Sequence, residues 1–204
     1  MADLFTEKSK NFDASDMVQN MSSAVGSSIL KKIPFNQKMN VMDFGAGTGL
    51  ISSHVAPLVN KIVAVDISQS MLDKLTSKPE LGGKVQAVCQ DIIDKPLTEK
   101  FDLIMSAMAL HHIKDTNEII RVISAHLKPD AMIALADLDK EDGSFHPENT
   151  EGVFHFGFDR NDLKSILENN DFCDIQFTTA HIINGSTKDY PMFLVTAKKA
   201  SNPD

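Results

Sequence analysis

A doubly wound α/β fold built on a mostly parallel sheet is what three observations in this 204-residue sequence predict. Short apolar runs alternate with amphipathic ones, the signature of successive βαβ units. The run Val41-Met42-Asp43-Phe44-Gly45-Ala46-Gly47-Thr48-Gly49 joins an apolar strand end to a helix pattern opening at Leu50-Ile51. Glycine allows a tight turn and a close approach of ligand to backbone, and the helix N-terminus that follows offers unpaired N–H groups. Near the end of the chain, two apolar runs at 174–183 and 190–197 are separated only by residues 184–189. A linker that short cannot carry a crossover helix, so this last pair must be antiparallel.

Taken in order, residues 14–33 read as a leading helix. Met17, Met21, Val25 and Ile29 recur at helical spacing, and Ser15-Asp16 supplies the cap. The first strand ends in the glycine run, and a helix is expected near 49–58. A second apolar run, 61–65, ends in Asp66 and leads into a helix near 68–77. The third run, 84–88, ends in Cys89-Gln90-Asp91-Ile92. The fourth, 101–106, continues into Ala107-Met108-Ala109-Leu110-His111-His112-Ile113. The helix expected over 115–127 opens on Asp115-Thr116, carries Ile119, Ile120 and Ile123 on one face, and stops before Pro129. A fifth strand, 131–136, follows the turn at 127–130 and ends at Asp137. Residues 138–158 have no clean period. The last helix, near 159–169, opens on Asp159 with Asp162 three positions on, resembling a capping box.

Composition narrows the function. A chain of this length is read as a single domain over 1–204, since domains run to roughly 100–200 residues. A net charge of −8 with scattered basic residues argues against nucleic acid as a partner, because phosphate binding needs clustered Lys and Arg. The longest apolar run, 103–110, is far short of the roughly 20 residues that span a bilayer, so no membrane insertion is expected. The opening residues lack a basic region followed by an apolar core, and a cytoplasmic location is expected. Cys89 and Cys173 read as two isolated buried thiols.

The glycine run and Asp66, about seventeen residues beyond Gly49, together suggest an adenosine site. A carboxylate at the tip of the second strand is placed to accept both ribose hydroxyls. Nicotinamide cofactors expect G-x-G-x-x-G/A, and counting from Gly45 puts the bulky Leu50 at the third position. From about residue 37 to 137, the five ordered strand-end motifs resemble the class I S-adenosylmethionine-dependent methyltransferases, in particular the small-molecule branch that includes the quinone-biosynthesis enzymes. That resemblance implies a three-layer Rossmann-like methyltransferase fold, a seven-stranded mostly parallel sheet with a C-terminal antiparallel hairpin. Residues 1–36 would form an N-terminal helical cap.

The resemblance also implies roles within an S-adenosylmethionine site that yields S-adenosylhomocysteine as product. Gly45, Ala46, Gly47 and Gly49 would form the turn, with Asp43 ordering it and the methionine end of the cofactor. Asp66 would hold the ribose, while Ile67 and Met71 wall the adenine. Asp91 would take its exocyclic amine and the Ile92 N–H a ring nitrogen. Ser106 and Ala107 would offer carbonyls to the ammonium group.

On the acceptor side, His111-His112 falls where the family often carries a polar or aromatic pair, and a packing role is the alternative. Residues 138–158 leave the ligand-binding edge of the sheet and carry Phe145, His146 and His155, which reads as a substrate lid. His112 and His146 are candidate bases or acceptor-positioning groups, with His111, Phe145 and His155 as substrate contacts. No motif has recognised metal-ligand spacing, so no metal is expected. The Asn/Asp-Pro-Pro-Tyr/Phe motif of nucleic-acid amine methyltransferases is absent after the fourth strand, where Ser106-Ala107-Met108-Ala109 stands. A small-molecule methyl acceptor is therefore expected. A nicotinamide-dependent oxidoreductase and a non-catalytic S-adenosylmethionine-binding regulator are the alternatives.

Overall fold

The computed structural model describes residues 5–147 and 150–200. The strands are β1 (Asn40–Phe44), β2 (Lys61–Asp66), β3 (Val85–Cys89), β4 (Phe101–Ala107), β5 (Leu127–Leu138), β6 (Phe172–Asn184) and β7 (Asp189–Lys199). They form one sheet in the order β3-β2-β1-β4-β5-β7-β6. Pairs from β3 through to β5 are parallel, and β7 lies antiparallel to both β5 and β6. The expected sheet and its terminal hairpin are therefore present.

Helices cover both faces. On one lie α1 (Thr6–Asn11), α2 (Asp16–Lys32), α3 (Leu50–Val55) and α4 (Gln69–Thr76). Val25 and Ile29 of α2, Val55 of α3 and Leu72 and Leu75 of α4 pack there on Val41, Ile62 and Leu103 of the sheet. On the other face, α5 (Thr116–Ala125) and α6 (Arg160–Glu168) set Ile119, Ile120, Ile123, Leu163 and Leu167 against Met42, Ile104 and Ile133. Alternate strand residues thus feed two separate cores, as the period-2 geometry of a strand requires. The β3–β4 connection has no helix. Buried Ile92 and half-buried Leu97 cover the sheet there, and the Leu97 N–H donates to His126 Nε2 at 2.9 Å.

Several boundaries differ from expectation. The leading helix is present as α2, capped by the Ser15 hydroxyl accepting from Val18 N–H at 3.5 Å; the short α1 and a 3-10 turn over Phe12–Ala14 precede it and were not expected. The helix expected to run to 58 stays α-helical only to Val55, because Pro57 enforces a 3-10 turn over Ala56–Leu58. The expected turn at 127–130 is the start of β5, with Asp130 at φ 60° and an irregular register against Phe101 and Leu103. The two thiols expected to be buried are both exposed, since Cys89 ends one edge strand and Cys173 lies on the other. The sequence pattern also suggests a frayed tail over 200–204, of which residues 201–204 lie outside the described residues.

The segment after β5 is tied down at its root. Asp139 bridges to Phe158, the Lys140 N–H donates to the Phe158 carbonyl, and Arg160 clasps the Asp139 carboxylate with two bonds of 2.7 Å. Gly157 sits in this crossing at φ 70°, where a Cβ would fall 2.2 Å from the Asp139 carbonyl oxygen. Gly157→Ala is expected to cost at least ~2 kcal/mol, lowering Tm by about 4–8 °C for a domain this size, measured by thermal unfolding.

Candidate active site

The glycine turn is held by the end of β2. The amides of Gly45 and Ala46 both donate to the Val65 carbonyl, at 2.9 and 3.0 Å. The Gly47 N–H donates to Asp66 Oδ2 at 2.8 Å, and Asp66 Oδ1 accepts the Ser68 N–H at 2.9 Å. Gly45 has φ 66° and lies so near Ala109 that a Cβ would come within 2.4 Å of its methyl. At Gly47, φ 53°, a Cβ would meet nothing within 4 Å, because that side of the turn opens into a cavity.

The cavity, about 680 Å³, lies at the carboxyl ends of the parallel strands. One end is lined by Asp43, Gly45, Ala46, Gly47, Asp66, Ile67, Met71 and Asp91. The other is lined by His111, His112, Phe145 and His146. The roof is Phe5 together with Phe12 and, from α2, Met17, Val18, Met21 and Val25. Thr48 ties that roof to the turn: its hydroxyl donates to Asp13 Oδ1 at 2.5 Å, and Asp13 pairs with Lys78 at 2.7 Å. The Ser22 hydroxyl also faces this space, buried and without a hydrogen bond among the described residues.

Asp43 is buried beneath the turn, where Ser52 Oγ donates to it at 2.7 Å. Burial pushes its carboxyl up to about 7, with the nearby Asp66 charge adding to the rise and the Ser52 bond opposing it. Met108, which follows β4, holds φ 57°, a strained conformation for a residue with a side chain, and lines the cavity.

His111 and His112 come from the 3-10 turn Leu110–His112. Their rings stand 4.1 Å apart, and the His146 ring lies 5.1 Å from His111. His111 Nδ1 bonds Asp137 Oδ1 at 2.9 Å, while its backbone N–H donates to Asp137 Oδ2 at 3.2 Å. His112 Nδ1 bonds the Gly152 carbonyl at 2.6 Å. The segment 138–158 is stitched to this turn: the N–H groups of Phe154 and His155 donate to the His111 carbonyl at 2.9 and 3.3 Å.

Four expected site residues lie off the cavity wall. His155 is a correction to the substrate set, since its Nε2 is occupied by the Ile113 carbonyl at 2.9 Å and Thr116 Oγ1 at 3.3 Å. Gly49, at φ 80°, serves packing: a Cβ there would strike Leu75 and Leu81 within 2.9 Å. The Ile92 side chain is in the core, leaving only its backbone for a ligand, and Ser106 is wholly buried, with Ala107 and Met108 reaching the wall in its place. Among the described residues, no group of three or more His, Cys, Asp or Glu is arranged to hold a metal ion, and no helix is long and apolar enough to cross a membrane. The functional candidates that sequence patterns do not single out are Phe5, Phe12, Ser22 and Met192, brought in by tertiary packing.

A seven-stranded Rossmann-like sheet with a glycine turn, a strand-tip acid and a cavity at its carboxyl edge defines an adenosyl-cofactor-binding α/β protein. Residues 41–130 match the family model described as a methyltransferase domain. An uncharacterized methyltransferase of Schizosaccharomyces pombe is 35% identical over 135 residues, covering 58% of this chain and 48% of the relative. A ubiquinone biosynthesis O-methyltransferase of Xanthomonas euvesicatoria is 29% identical over 110 residues, covering 52% and 45%. The fold is also that of the chain solved with the Haloferax volcanii Trm112 methyltransferase activator, with a TM-score of 0.78 at 14% identity over 98% of this chain and 99% of that one. What this chain shares with methyltransferases is thus the fold and a sequence similarity that runs over residues 41–130 in the family model and over about half the length of each relative. The chain spans about half the length of the curated relatives it matches.

The raised Asp43 carboxyl sets a pH dependence. Below the ordinary value of 3.8 the group is protonated whether folded or unfolded; between there and about 7 the folded state keeps a proton that the unfolded state gives up. Stability therefore falls as pH rises through that window, and the full penalty remains above it. Asp43→Asn is expected to stabilise the cofactor-free protein by up to about 4 kcal/mol at pH 8 and by little at pH 4, read by urea unfolding at both.

Proposed function

We propose that this protein transfers a methyl group from S-adenosylmethionine to a small-molecule acceptor held in the same cavity. The observation that carries the reading is the continuity of that cavity, with a glycine turn and three carboxylates at one end and three imidazoles under a tethered segment at the other. The open side of Gly47 is the feature that fits a bound cofactor, because backbone there meets a ligand with no Cβ between.

When bound, the cofactor supplies a methyl group already activated on a positively charged sulfur. The protein's own contribution is then to bind, orient and exclude water, and such positioning is worth up to roughly 7–11 kcal/mol in favourable cases. Asp66, which accepts the Gly47 and Ser68 amides at the tip of β2, would also take the ribose hydroxyls, since a carboxylate accepts on both oxygens. Asp91 is exposed at the mouth, one oxygen turned to the Ile93 N–H, and would take the adenine amine with the other. Exposed Ile67 and buried Met71 wall the base on its apolar faces. Asp43 and the chain at Ala107–Met108 face the amino-acid end. His112, His146 and Phe145 contact the acceptor, and the segment over 138–158 acts as a lid whose Phe145-His146-Pro147 stretch shuts the cavity. The apolar roof from Phe5 to Val25, the helical cap, suits an acceptor with a hydrophobic body.

Isothermal titration with S-adenosylmethionine and S-adenosylhomocysteine tests the cofactor assignment. Both should bind, and Asp66→Ala should weaken each at least tenfold, about 1.4 kcal/mol or more. Unchanged affinity in that variant, or binding of NADH in place of either ligand, would remove the assignment.

A further inference from the structure

Asp137 is wholly buried at the end of β5, yet it is not left to bear its charge alone. Its Oδ1 accepts the Leu138 N–H at 2.8 Å and meets His111 Nδ1 at 2.9 Å, and its Oδ2 accepts the His111 N–H at 3.2 Å. Two backbone N–H donors, one on each oxygen, favour an ionised carboxylate, which can only accept, and the His111 ring nitrogen is then the third donor. The proton between the ring and Asp137 therefore belongs to His111 Nδ1, and in the neutral ring Nε2 carries the lone pair. No described residue gives Nε2 a hydrogen bond, and His111 stands on the cavity wall. The ring is 1% exposed, so only a ligand inside the cavity reaches it.

We propose that His111 is the catalytic base of the transfer, with Asp137 as its positioning residue, and that the acceptor is a neutral hydroxyl compound that loses its proton on methylation. This rests on the methyltransferase reading above. As a lone pair of the acceptor oxygen forms the new O–C bond, the methyl–sulfur bond breaks and its electron pair stays on sulfur. The hydroxyl proton passes to His111 Nε2, and the imidazolium rests against the Asp137 carboxylate until water carries the proton away. His112 Nδ1 bonds a neutral carbonyl, that of Gly152, which stabilises an imidazolium less than the carboxylate on His111 does.

The charges at the acceptor end favour a hydroxyl over an ammonium. The groups facing the His111 ring are Asp137 from β5, His112 from its own turn and His146 from the lid. The only carboxylate among them is already met by three donors. Among the described residues at this end of the cavity, an amine entering as its cation would meet imidazoles and no carboxylate but Asp137, a costly arrangement in a buried site.

The first test is chemical and needs no known acceptor. Diethyl pyrocarbonate modifies bare imidazole nitrogens, and mass spectrometry locates the label. His111 should be labelled in the cofactor-free protein and protected at least tenfold by S-adenosylhomocysteine; no label at His111 overturns the proposal. The second is transfer of radiolabelled methyl to benzyl alcohol, catechol, benzylamine and benzyl mercaptan. Transfer should favour the hydroxyl probes, with His111→Gln lowering kcat at least 100-fold while KM for S-adenosylmethionine stays within threefold. Asp137→Asn should displace the acidic limb of the pH–rate profile, which a merely structural pair would not do. Preference for the amine, or an unchanged kcat in His111→Gln, overturns the proposal; if no probe turns over, the labelling result decides. Cofactor titration of the same variants separates the two readings, since loss of S-adenosylmethionine binding by the wild-type chain would sink the function itself.

Discussion

Two amides on one carbonyl set the geometry on which everything else depends. Gly45 and Ala46 both bond the Val65 oxygen, so the chain leaving β1 is forced back across the tip of β2 before α3 can start. That fold-back puts the Gly47 N–H on the Asp66 carboxylate and the Asp43 carboxyl beneath the turn. Three chemically distinct features of one site, an open glycine, a strand-tip acid and a buried acid, are thus brought together by the main-chain fold-back and held by the Gly47–Asp66 and Ser52–Asp43 bonds.

The acceptor end is built by a different device. No regular element supplies it; a 3-10 turn and a long irregular segment hold each other. Through its carbonyl His111 binds the segment, through its amide and ring it binds Asp137, and His112 reaches the Gly152 carbonyl. The Asp139–Arg160 clasp fixes the segment's root to α6, and Glu141 Oε2 gathers the amides of Gly143, Ser144 and Phe145 at 2.8, 2.9 and 3.3 Å. A loop with this many internal partners is ordered without a helix or strand.

Much of the cofactor end was legible in the sequence because strand-end acids and glycines follow from the periodicity that marks the strands themselves. Asp66 and Asp91 could be placed by counting; so could the terminal hairpin, from a linker too short for a helix. The acceptor end was less legible. Which of two adjacent histidines meets a carboxylate depends on β5 lying beside β4, and sequence spacing carries no trace of the His111–Asp137 contact across 26 positions. His155 misled for the same reason: a histidine in an aperiodic, aromatic stretch reads as a ligand contact, but the Ile113 carbonyl and Thr116 hydroxyl consume its ring nitrogen. The thiols misled because β3 and β6 are edges, and edge position depends on strand order, which no single strand encodes. Phe5 and Phe12 were invisible as site residues because they reach the cavity from the two ends of α1, a short helix ahead of the expected one that no periodicity marks.

Two buried carboxylates, Asp43 on the cavity wall and Asp137 behind His111, are almost wholly removed from water, yet their surroundings differ in kind. Asp137 is met by the N–H groups of His111 and Leu138 and by the His111 ring nitrogen. Among the described residues Asp43 is met by Ser52, through its hydroxyl and its backbone N–H, and is held up near 7 by burial and by Asp66. A carboxyl kept short of donors beside a cavity is a group whose charge is stabilised only when something else arrives, and a positively charged ligand group is what would do so. On the proposed reading, Asp137, whose partners come from the protein itself, serves the reaction, and Asp43, whose burial is incompletely offset, serves binding.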